Sequence, residues 1–332
     1  MANLRAGVIG IGSMGRHHAR IMREIDGVDL VAVADPIGDR FAVARELEVG
    51  RSVEDLIAAG LDLAVVAVPT AHHEEVGLAL AEAKVATMFE KPVAASAVAA
   101  RRLAEAFATA GVVACVGHVE RFNPAISEMR NRIGQGEVGD VYQVATRRQG
   151  PFPARIADVG VVTDLATHDI NSTQWLANSD YAMISAQVTH RALREHEDMV
   201  LITGRMGNGV LANHIVNWLS PMKERLTVVT GERGALVADT AAVTLTFWAN
   251  GSVPTEWEQL RQFRGVSEGD TIRYAIQTRE PLKAEDEAFR DAVLGLREDA
   301  ISLEDGYKTL VAAEAALKSA ATGETVRLAP PG

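Results

Sequence analysis

Short, mostly apolar runs alternate with longer amphipathic stretches through the first 120 residues of this chain. The runs Arg5–Ile9, Leu30–Ala34, Leu63–Val68, Val85–Phe89 and Val112–Val116 lack the polar alternation of a half-exposed strand, which is typical of a parallel sheet covered on both faces. Strands separated by helices in this way predict a doubly wound α/β domain. The predicted helices are Met14–Arg23, Arg40–Leu47, one capped by Ser52 and ended by Gly60, Glu74–Ala83 and Ala95–Ala110.

The pattern changes after about residue 120. One predicted helix, Asn123–Arg132, is followed by consecutive strand-like runs with turn residues between some of them, which indicates a largely antiparallel sheet. Two helices, Lys283–Leu294 and Ser302–Ala320, close the chain, and the polar stretch Pro254–Asp270 is expected to be a surface loop. We therefore expect a Rossmann domain over residues 1–120 and an α/β domain with an antiparallel open sheet over residues 121–332. The predicted strands of the second domain are Val141–Arg147, Ala182–His190, Val200–Arg205, Val210–Trp218, Arg225–Thr230, Ala235–Asp239 and Val243–Trp248.

Length and composition exclude several classes of protein. A chain of 332 residues is long enough for two domains. Its net charge of −11 argues against general affinity for nucleic acid or anionic membranes, because both depend on basic surface. No secretory signal and no run near the ~20 apolar residues of a membrane span are visible, so we expect a cytoplasmic protein. The single cysteine, Cys115, cannot form an intrachain disulfide, and without His-x-x-x-His or Cys-x-x-Cys spacing we expect no metal site.

The segment Gly10-Ile11-Gly12-Ser13-Met14-Gly15 has the spacing G-x-G-x-x-G between an apolar run and a helix, which is typical of dinucleotide binding. Its glycines allow a tight turn, close approach of a pyrophosphate, and close packing of helix on strand. Asp35 ends the second run, 20 residues after Gly15, where a carboxylate would bond the ribose hydroxyls and repel a 2′-phosphate. The sequence therefore predicts NAD as the cofactor in preference to NADP. Two alternatives remain open here: Asp35 merely starts a turn with Pro36, or Arg40 weakens the preference.

Glu90-Lys91-Pro92 follows the run Val85–Phe89 directly. The carboxyl end of a strand is where parallel sheets bind ligands, so Lys91 is placed to bond a reacting oxygen. The alternative is an ordinary surface lysine in a turn.

Asp164 and His168 are four residues apart and would share one face of a helix. A carboxylate and an imidazole on one face can act as an orienting group and a proton acceptor. The alternative is a capped helix whose polar residues face water.

Together these segments resemble the Gfo/Idh/MocA oxidoreductase family over nearly the whole chain. The resemblance rests on Gly10–Gly15 followed by Arg16-His17-His18-Ala19, on Val68-Pro69-Thr70 with His72 and His73, on Glu90-Lys91-Pro92, and on Gly160, Asp164 and His168. The family pattern often has two glycines before the aspartate, whereas here Val159 precedes Gly160. The resemblance implies catalytic roles for Lys91, Asp164 and His168. It implies cofactor contacts from Gly10, Ile11, Gly12, Ser13, Met14, Gly15, Asp35, Pro69, Thr70, His73, Glu90 and Lys91.

Two further segments, Gly117–Ala125 and Trp218–Arg225, are similar to those of UDP-N-acetylglucosamine 3-dehydrogenases within this family. Lys223 and Arg225 would then be able to meet a diphosphate. Alternatively, Arg121 and Asn123 cap a helix, and Lys223 and Arg225 are solvated strand residues. The substrate contacts that the resemblance implies are Lys91, His118, Arg121, Asn123, Asp164, His168, Lys223 and Arg225.

The mechanism that the resemblance implies is hydride transfer from a carbinol carbon of a sugar or nucleotide sugar to NAD. His168 would act as general base, Lys91 would bond the same oxygen, and Asp164 would orient the group. Family members use the open face of the antiparallel sheet to form dimers or tetramers, so we expect a homo-oligomer. The alternatives are an inositol or free-aldose dehydrogenase of the same family, a nicotinamide-binding sensor or regulator without turnover, and a structural protein that retains an inactive Rossmann fold.

Overall fold

The computed structural model describes residues 2–152, 159–192, 195–251, 267–297 and 300–328. Its contacts divide the chain into two compact units. The first runs to Phe122 and adds Glu280–Val311, and the second runs from Asn123 to Arg279 and resumes at Ala312. By contacts, the stretch Glu280–Val311 thus groups with the first unit, whereas the domain boundaries predicted above place it in the second domain.

The first unit is built on a six-stranded sheet in the order β3-β2-β1-β4-β5-β6, and all of its strand pairs are parallel. Along β4 the buried side chains alternate between two apolar clusters, Ala64 and Val66 in one and Leu63 and Val65 in the other. The sheet is therefore covered on both faces, which confirms the doubly wound prediction. The elements are β1 (Leu4–Ile9), α1 (Gly15–Met22), β2 (Val28–Ala34), β3 (Val49–Gly50), α2 (Val53–Ala58), β4 (Leu63–Val66), a 3₁₀ turn (Thr70–His72), α3 (His73–Glu82), β5 (Ala86–Glu90), α4 (Ala97–Ala110), β6 (Ala114–Gly117) and a second 3₁₀ turn (Val119–Phe122).

The predicted helix Arg40–Leu47 is wrong, because this segment consists of turns. The carboxylate of Asp39 accepts hydrogen bonds from the backbone amides of Val43 and Ala44, at 2.8 and 2.7 Å. The guanidinium of Arg23 donates to the carbonyl oxygens of the same two residues. Side chains thus replace the backbone partners that a helix would use, and Ala42 has a φ of 53°, which no helix contains.

The second unit carries a nine-stranded sheet in the order β14-β13-β12-β11-β7-β10-β9-β8-β15. Only the pair β7–β10 is parallel among the strand pairs described, so the prediction of a largely antiparallel sheet is confirmed. Its elements, with the two helices that close the chain, are α5 (Pro124–Gly134), β7 (Val141–Pro151), a π-helical turn (Val162–Ala166), α6 (Thr167–Ala177), β8 (Tyr181–Thr189), β9 (Met199–Met206), β10 (Leu211–Asn217), β11 (Leu219–Gly231), β12 (Gly234–Asp239), β13 (Thr244–Gly251), β14 (Ser267–Arg273), α7 (Pro281–Val293), α8 (Leu303–Thr322) and β15 (Val326–Arg327).

The predicted loop Pro254–Asp270 is only partly covered by the structure. Residues 254–266 lie outside the described residues, and residues 267–270 begin β14, so the loop prediction is wrong for them. β14 pairs with β13 through Thr271 and Trp248, so a tertiary partner makes a strand of a segment whose first residues are polar.

Candidate active site

The glycine-rich loop between β1 and α1 has the geometry that a bound pyrophosphate needs. Gly10 has a φ of +83°, and a Cβ there would lie 2.6 Å from the carbonyl of Ala67. A Cβ at Gly15 would lie 1.8 Å from the carbonyl oxygen of Gly10. At Gly12, by contrast, no described residue other than its two chain neighbours has an atom within 4 Å of the Cβ position. The first and third glycines are thus required by packing and the second leaves open space, so the loop fits a dinucleotide.

Asp35 follows β2 and is bonded to this loop. Its Oδ2 accepts the backbone N–H of Ile11 at 3.1 Å, and its Oδ1 accepts that of Ile37 at 2.9 Å. The carbonyl of Asp35 also accepts the amide of Gly38, so the residue starts a turn as well. The two interpretations of Asp35 are therefore compatible: the turn holds a carboxylate beside the glycine-rich loop, where it fits a ribose and repels a 2′-phosphate.

Pro69, Thr70 and His73 lie at the connection from β4 to α3. Pro69 precedes the 3₁₀ turn, and His73 begins the helix. His73 is buried, and its ring nitrogens lie 2.9 and 3.2 Å from the carbonyl oxygens of Val68 and Val93. His73 thus fixes this connection, while Pro69 and Thr70 remain partly or fully exposed at the carboxyl end of β4.

Lys91 follows Glu90 at the carboxyl end of β5. One oxygen of Glu90, Oε2, accepts the backbone N–H of Lys91 at 3.0 Å, and the other, Oε1, lies 3.1 Å from Nε2 of His18. Burial opposes ionisation of Glu90, but the hydrogen bond and charge of His18, together with Lys91, hold its pKa below the usual value. A carboxylate therefore stands directly behind the candidate catalytic lysine.

His118 and Arg121 lie close to Lys91 in the same unit. His118 is buried, and neither of its ring nitrogens has a hydrogen-bond partner in the part of the chain that the structure describes. Burial, followed by the charges of Arg121 and Lys91, lowers the pKa of His118 well below the usual value, so its imidazole is neutral. A neutral imidazole offers one donor and one acceptor, and here both are available to a ligand.

Asn123 caps a helix, as in the alternative interpretation above. Its Oδ1 accepts the backbone N–H of Ala125, and its Nδ2 donates to the carbonyl of Thr240. Both ends of the amide are used within the protein, and a contact with substrate stays a prediction.

Asp164 and His168 belong to the second unit. Asp164 lies in the π-helical turn, and His168 is the second residue of α6. Such turns recur at functional sites. The neighbouring Asp169 points into the core, where its Oδ2 accepts Nε of Arg148 at 2.8 Å. That Asp164 and His168 act together with Lys91 stays a prediction.

Val159 stands where the family pattern often has a first glycine, but Gly160, which the fold requires, is present. A Cβ at Gly160 would lie 2.0 Å from Oε1 of Glu197, and the same oxygen accepts the backbone N–H of Val162 at 2.9 Å. Glu197 thus occupies the space that a side chain at residue 160 would need, which explains one glycine but requires none at residue 159.

Lys223 and Arg225 lie two residues apart on β11, and alternate residues of a strand point to one face. Lys223 is exposed. Nη1 of Arg225 donates to the carbonyl oxygens of Gln149 and Glu224, at 2.7 and 2.8 Å. Arg225 therefore contributes to the strand pairing, whereas Lys223 presents its charge to solvent.

Sequence reasoning missed a group of buried ionisable residues behind Lys91, namely His18 of α1 and Glu285 and Asp286 of α7. A signal was present. His18 belongs to the spacing Gly15, His18, Ala19, Met22, which is the buried face of α1, and a histidine on such a face needs polar partners. Which residues act as these polar partners depends on contacts between residues far apart in the chain.

Neither a metal centre nor a membrane-spanning helix is found among the described residues. No group of three or more histidine, cysteine, aspartate or glutamate side chains in the described ranges could hold a metal ion. Among the helices whose residues are described, none is long and apolar enough to cross a membrane.

Two family profiles match the chain. The GFO/IDH/MocA profile, an oxidoreductase family with an NAD-binding Rossmann fold, matches residues 4–118, and the GFO/IDH/MocA C-terminal domain matches residues 126–237. A scyllo-inositol 2-dehydrogenase (NAD(+)) of Bacillus subtilis is 31% identical over 55% of this chain and 56% of its own length. Inositol 2-dehydrogenase 2 of Saccharopolyspora erythraea is 28% identical over 98% of this chain and 96% of its own. A solved structure of UDP-N-acetylglucosamine 3-dehydrogenase from Acidithiobacillus ferrooxidans has a TM-score of 0.83 and 26% identity, covering 96% of this chain and 98% of that one.

Proposed function

The chain belongs to the Gfo/Idh/MocA family of NAD-binding oxidoreductases, and on this premise we propose that it oxidises a carbinol carbon of a nucleotide sugar, with C3 of UDP-N-acetylglucosamine as the specific candidate. The observation that carries the proposal is His118. Its buried, neutral imidazole has no protein partner in the described ranges and lies beside Lys91 and Arg121. A polar group in this state is stabilised by a ligand that offers a donor and an acceptor, as the hydroxyls and the acetamido group of such a sugar do.

The chain's own residues divide the chemistry between them. NAD, when bound, supplies the hydride acceptor. His168 removes the proton of the substrate hydroxyl, and Asp164 orients that imidazole or tunes its basicity. The ammonium of Lys91 donates to the same oxygen and stabilises the negative charge that develops there.

Basic side chains are available for the diphosphate of a nucleotide sugar. Arg121 is a largely buried cation beside His118, with its Nη2 3.5 Å from Oδ1 of Asp305. Lys223 is exposed on β11, next to a strand pair that Arg225 fastens. Cationic groups that meet a diphosphate form short, charge-assisted hydrogen bonds, which would give the nucleotide part a share of the binding energy.

The second candidate is oxidation of an inositol. The similarity to inositol dehydrogenases of Bacillus subtilis and Saccharopolyspora erythraea favours it. An inositol carries no phosphate, so it makes no use of Lys223. The role of Lys223 therefore distinguishes the two candidates.

Turnover on a defined panel tests the proposal. The purified protein is supplied with NAD and, in turn, UDP-N-acetylglucosamine, UDP-glucose, N-acetylglucosamine, myo-inositol and scyllo-inositol, and the absorbance of NADH is followed. We expect the highest kcat/KM with UDP-N-acetylglucosamine. Lys223→Ala should raise KM for that substrate about tenfold, equivalent to about 1.4 kcal/mol, while the exposed Lys318→Ala on α8 should not change it.

Two outcomes would contradict the proposal. Preferential turnover of an inositol, unaffected by Lys223→Ala, would support the second candidate. Binding of NADH without turnover on the whole panel would support a sensor. Lys91→Ala distinguishes an enzyme from a sensor. In an enzyme it should lower kcat by roughly 10²–10³ through loss of one stabilising donor, while NADH still binds.

A further inference from the structure

Four ionisable side chains converge behind Lys91 inside the first unit. His18 on α1 and Asp286 on α7 are each 0% exposed, and Glu285 on α7 is 2% exposed. Nδ1 of His18 lies 2.9 Å from Oδ1 of Asp286, and Nε2 of His18 lies 3.1 Å from Oε1 of Glu90. The imidazole thus bridges two carboxylates that belong to different elements.

The hydrogen-bond pattern determines the charge of His18. A carboxylate only accepts hydrogen bonds, so an imidazole that serves a carboxylate at each nitrogen must donate from both and carry a positive charge. Burial opposes that charge, but the charges and hydrogen bonds of Asp286 and Glu90 raise the pKa of His18 well above its usual value. His18 is therefore an imidazolium in the neutral range.

Glu285 lies beside this group but does not balance the charge of His18. Burial, followed by the charge of Glu90, raises the pKa of Glu285 well above its usual value, so it is protonated. Its oxygens have no hydrogen-bond partner among the residues that the structure describes. Burial also raises the pKa of Asp286, although the charge and hydrogen bond of His18 oppose that shift. Asp286, His18 and Glu90 are thus joined in line by hydrogen bonds through the two ring nitrogens of His18.

The hydrogen-bonded series of Asp286, His18 and Glu90 continues to Lys91, the candidate catalytic residue. The second oxygen of Glu90 accepts the backbone N–H of Lys91 at 3.0 Å, and the charge of Lys91 favours ionised Glu90 in turn. Asp286, His18 and Glu90 therefore determine both where the backbone of Lys91 lies and what charge faces its ammonium.

We propose that His18, clamped by Asp286 and Glu90, is a positioning residue for Lys91: it holds Glu90 as an oriented carboxylate, which in turn keeps Lys91 in place as a charged donor. The inference rests on the role of Lys91 in the proposed function, and on no identified substrate. A purely structural contact between α1 and α7 would not need this buried ionic group, because apolar residues of similar volume often stabilise a fold at least as well.

Titratable and charged groups face His18 from three elements. They come from its own helix, from α7 and from the end of β5. These groups are His17, Arg20 with its ion-pair partner Glu280, Glu285, Asp286, Glu90 and Lys91.

The test measures Lys91 itself. The native protein and its variants are acetylated with an N-hydroxysuccinimide ester over a range of pH, and acetylation of Lys91 is quantified by peptide mass spectrometry. In His18→Gln and in Glu90→Gln we expect the midpoint of Lys91 acetylation to move to lower pH, because the carboxylate that faces the ammonium is lost or turned away. His17→Gln, a histidine substitution on the same helix, should leave the midpoint unchanged.

The direction of the shift decides the question. If His18 acted only as a nearby positive charge, its removal would relieve repulsion and move the midpoint to higher pH. An upward shift or no shift in His18→Gln would overturn the proposal.

A variant that fails to fold does not remove the test. His18→Gln leaves Asp286 buried without its partner. The second choice is therefore the double variant His18→Gln/Asp286→Asn, which leaves no unpaired aspartate at this position. The same shift of the Lys91 midpoint is expected in it. A measurement on the native protein is independent of both. With ¹⁵N-labelled histidine, the spectrum should retain one doubly protonated imidazole at pH 8, and a spectrum in which every histidine is neutral at that pH would overturn the proposal.

Turnover provides the link to chemistry. On the best substrate of the panel, His18→Gln should lower kcat about tenfold and leave KM nearly unchanged, and the loss of rate at high pH should begin at lower pH. If the acetylation shift is seen but the native protein turns over no member of the panel, the proposed function fails and the positioning role stands. If turnover is normal in His18→Gln and the acetylation midpoint does not move, the positioning role alone fails.

Discussion

His168 is the residue on which the proposed proton transfer depends. It stands at the start of α6, next to the buried Asp169, so its backbone is held while its half-buried side chain keeps access to solvent. As a general base it must be neutral. The rate of oxidation should therefore fall as the pH drops through the range in which an ordinary histidine becomes protonated, about 6.5. His168→Gln should remove this acidic limb and lower kcat, as a pH–rate profile of kcat/KM would show.

The exposed His190, outside α6, offers a matched control. His190→Gln should leave both the limb and kcat as in the native protein. A limb that persists in His168→Gln would assign the base to another residue, such as Lys91, and the substitution would then mainly raise KM.

Single residues were predictable where the signal is local. Gly10, Gly15 and Asp35 lie in or directly after the consecutive elements β1, α1 and β2, so spacing alone predicts their roles, and the prediction of NAD as the cofactor is confirmed by the family match. The pair His18–Asp286 spans 268 positions, and only the tertiary fold brings the two side chains together. The sequence could show that a histidine interrupts an apolar face, but not which carboxylates would meet it.

At the scale of elements, α6 is attached to the sheet by a buried ion pair. Nε of Arg148 on β7 donates to Oδ2 of Asp169, and both side chains are almost fully buried. Breaking such a pair by removing one partner leaves an uncompensated buried charge. Arg148→Met should therefore lower the free energy of unfolding by about 3 kcal/mol, measured by urea denaturation.

Arg101 on α4, in the first unit, provides the control. It also forms an ion pair, with Glu304 at 2.9 Å, but about two fifths of each side chain is exposed. Exposed pairs contribute about 0–1 kcal/mol, so Arg101→Met should stay within that range. Equal losses for the two variants would show that the Arg148–Asp169 pair does not hold α6 in place.

Elements were predictable when periodicity and caps agreed. Ser52 and Asp55 form a complete capping box for α2, as the spacing Ser-x-x-Asp indicates. The segment Arg40–Leu47 has helical periodicity, but the side chains of Asp39 and Arg23 take its backbone groups. The two-residue strands β3 and β15 exist only through pairing with a neighbour, which no local pattern reveals.

At the scale of the whole molecule, the nine-stranded sheet has one face that carries apolar side chains without being fully covered. Leu201 on β9 is opposite Ile215 on β10, and Val228 on β11 is opposite Val237 on β12. Leu201 is 45% exposed and Trp248, further along the sheet, is 49% exposed. Exposed apolar surface of this kind marks an interaction site.

We expect a second copy of this chain to cover that face, giving a homodimer or homotetramer. Sedimentation velocity at micromolar concentration should show the native protein larger than one chain. Leu201→Glu and Trp248→Glu should each shift it toward the monomer, because a charge buried in the interface would lose its hydration without gaining a partner. Val98 on α4 is 64% exposed and lies outside this sheet, so Val98→Glu should leave the assembly intact. A native protein that sediments as a single chain would contradict the expectation, and disruption by Val98→Glu to the same extent would show that the interface lies elsewhere.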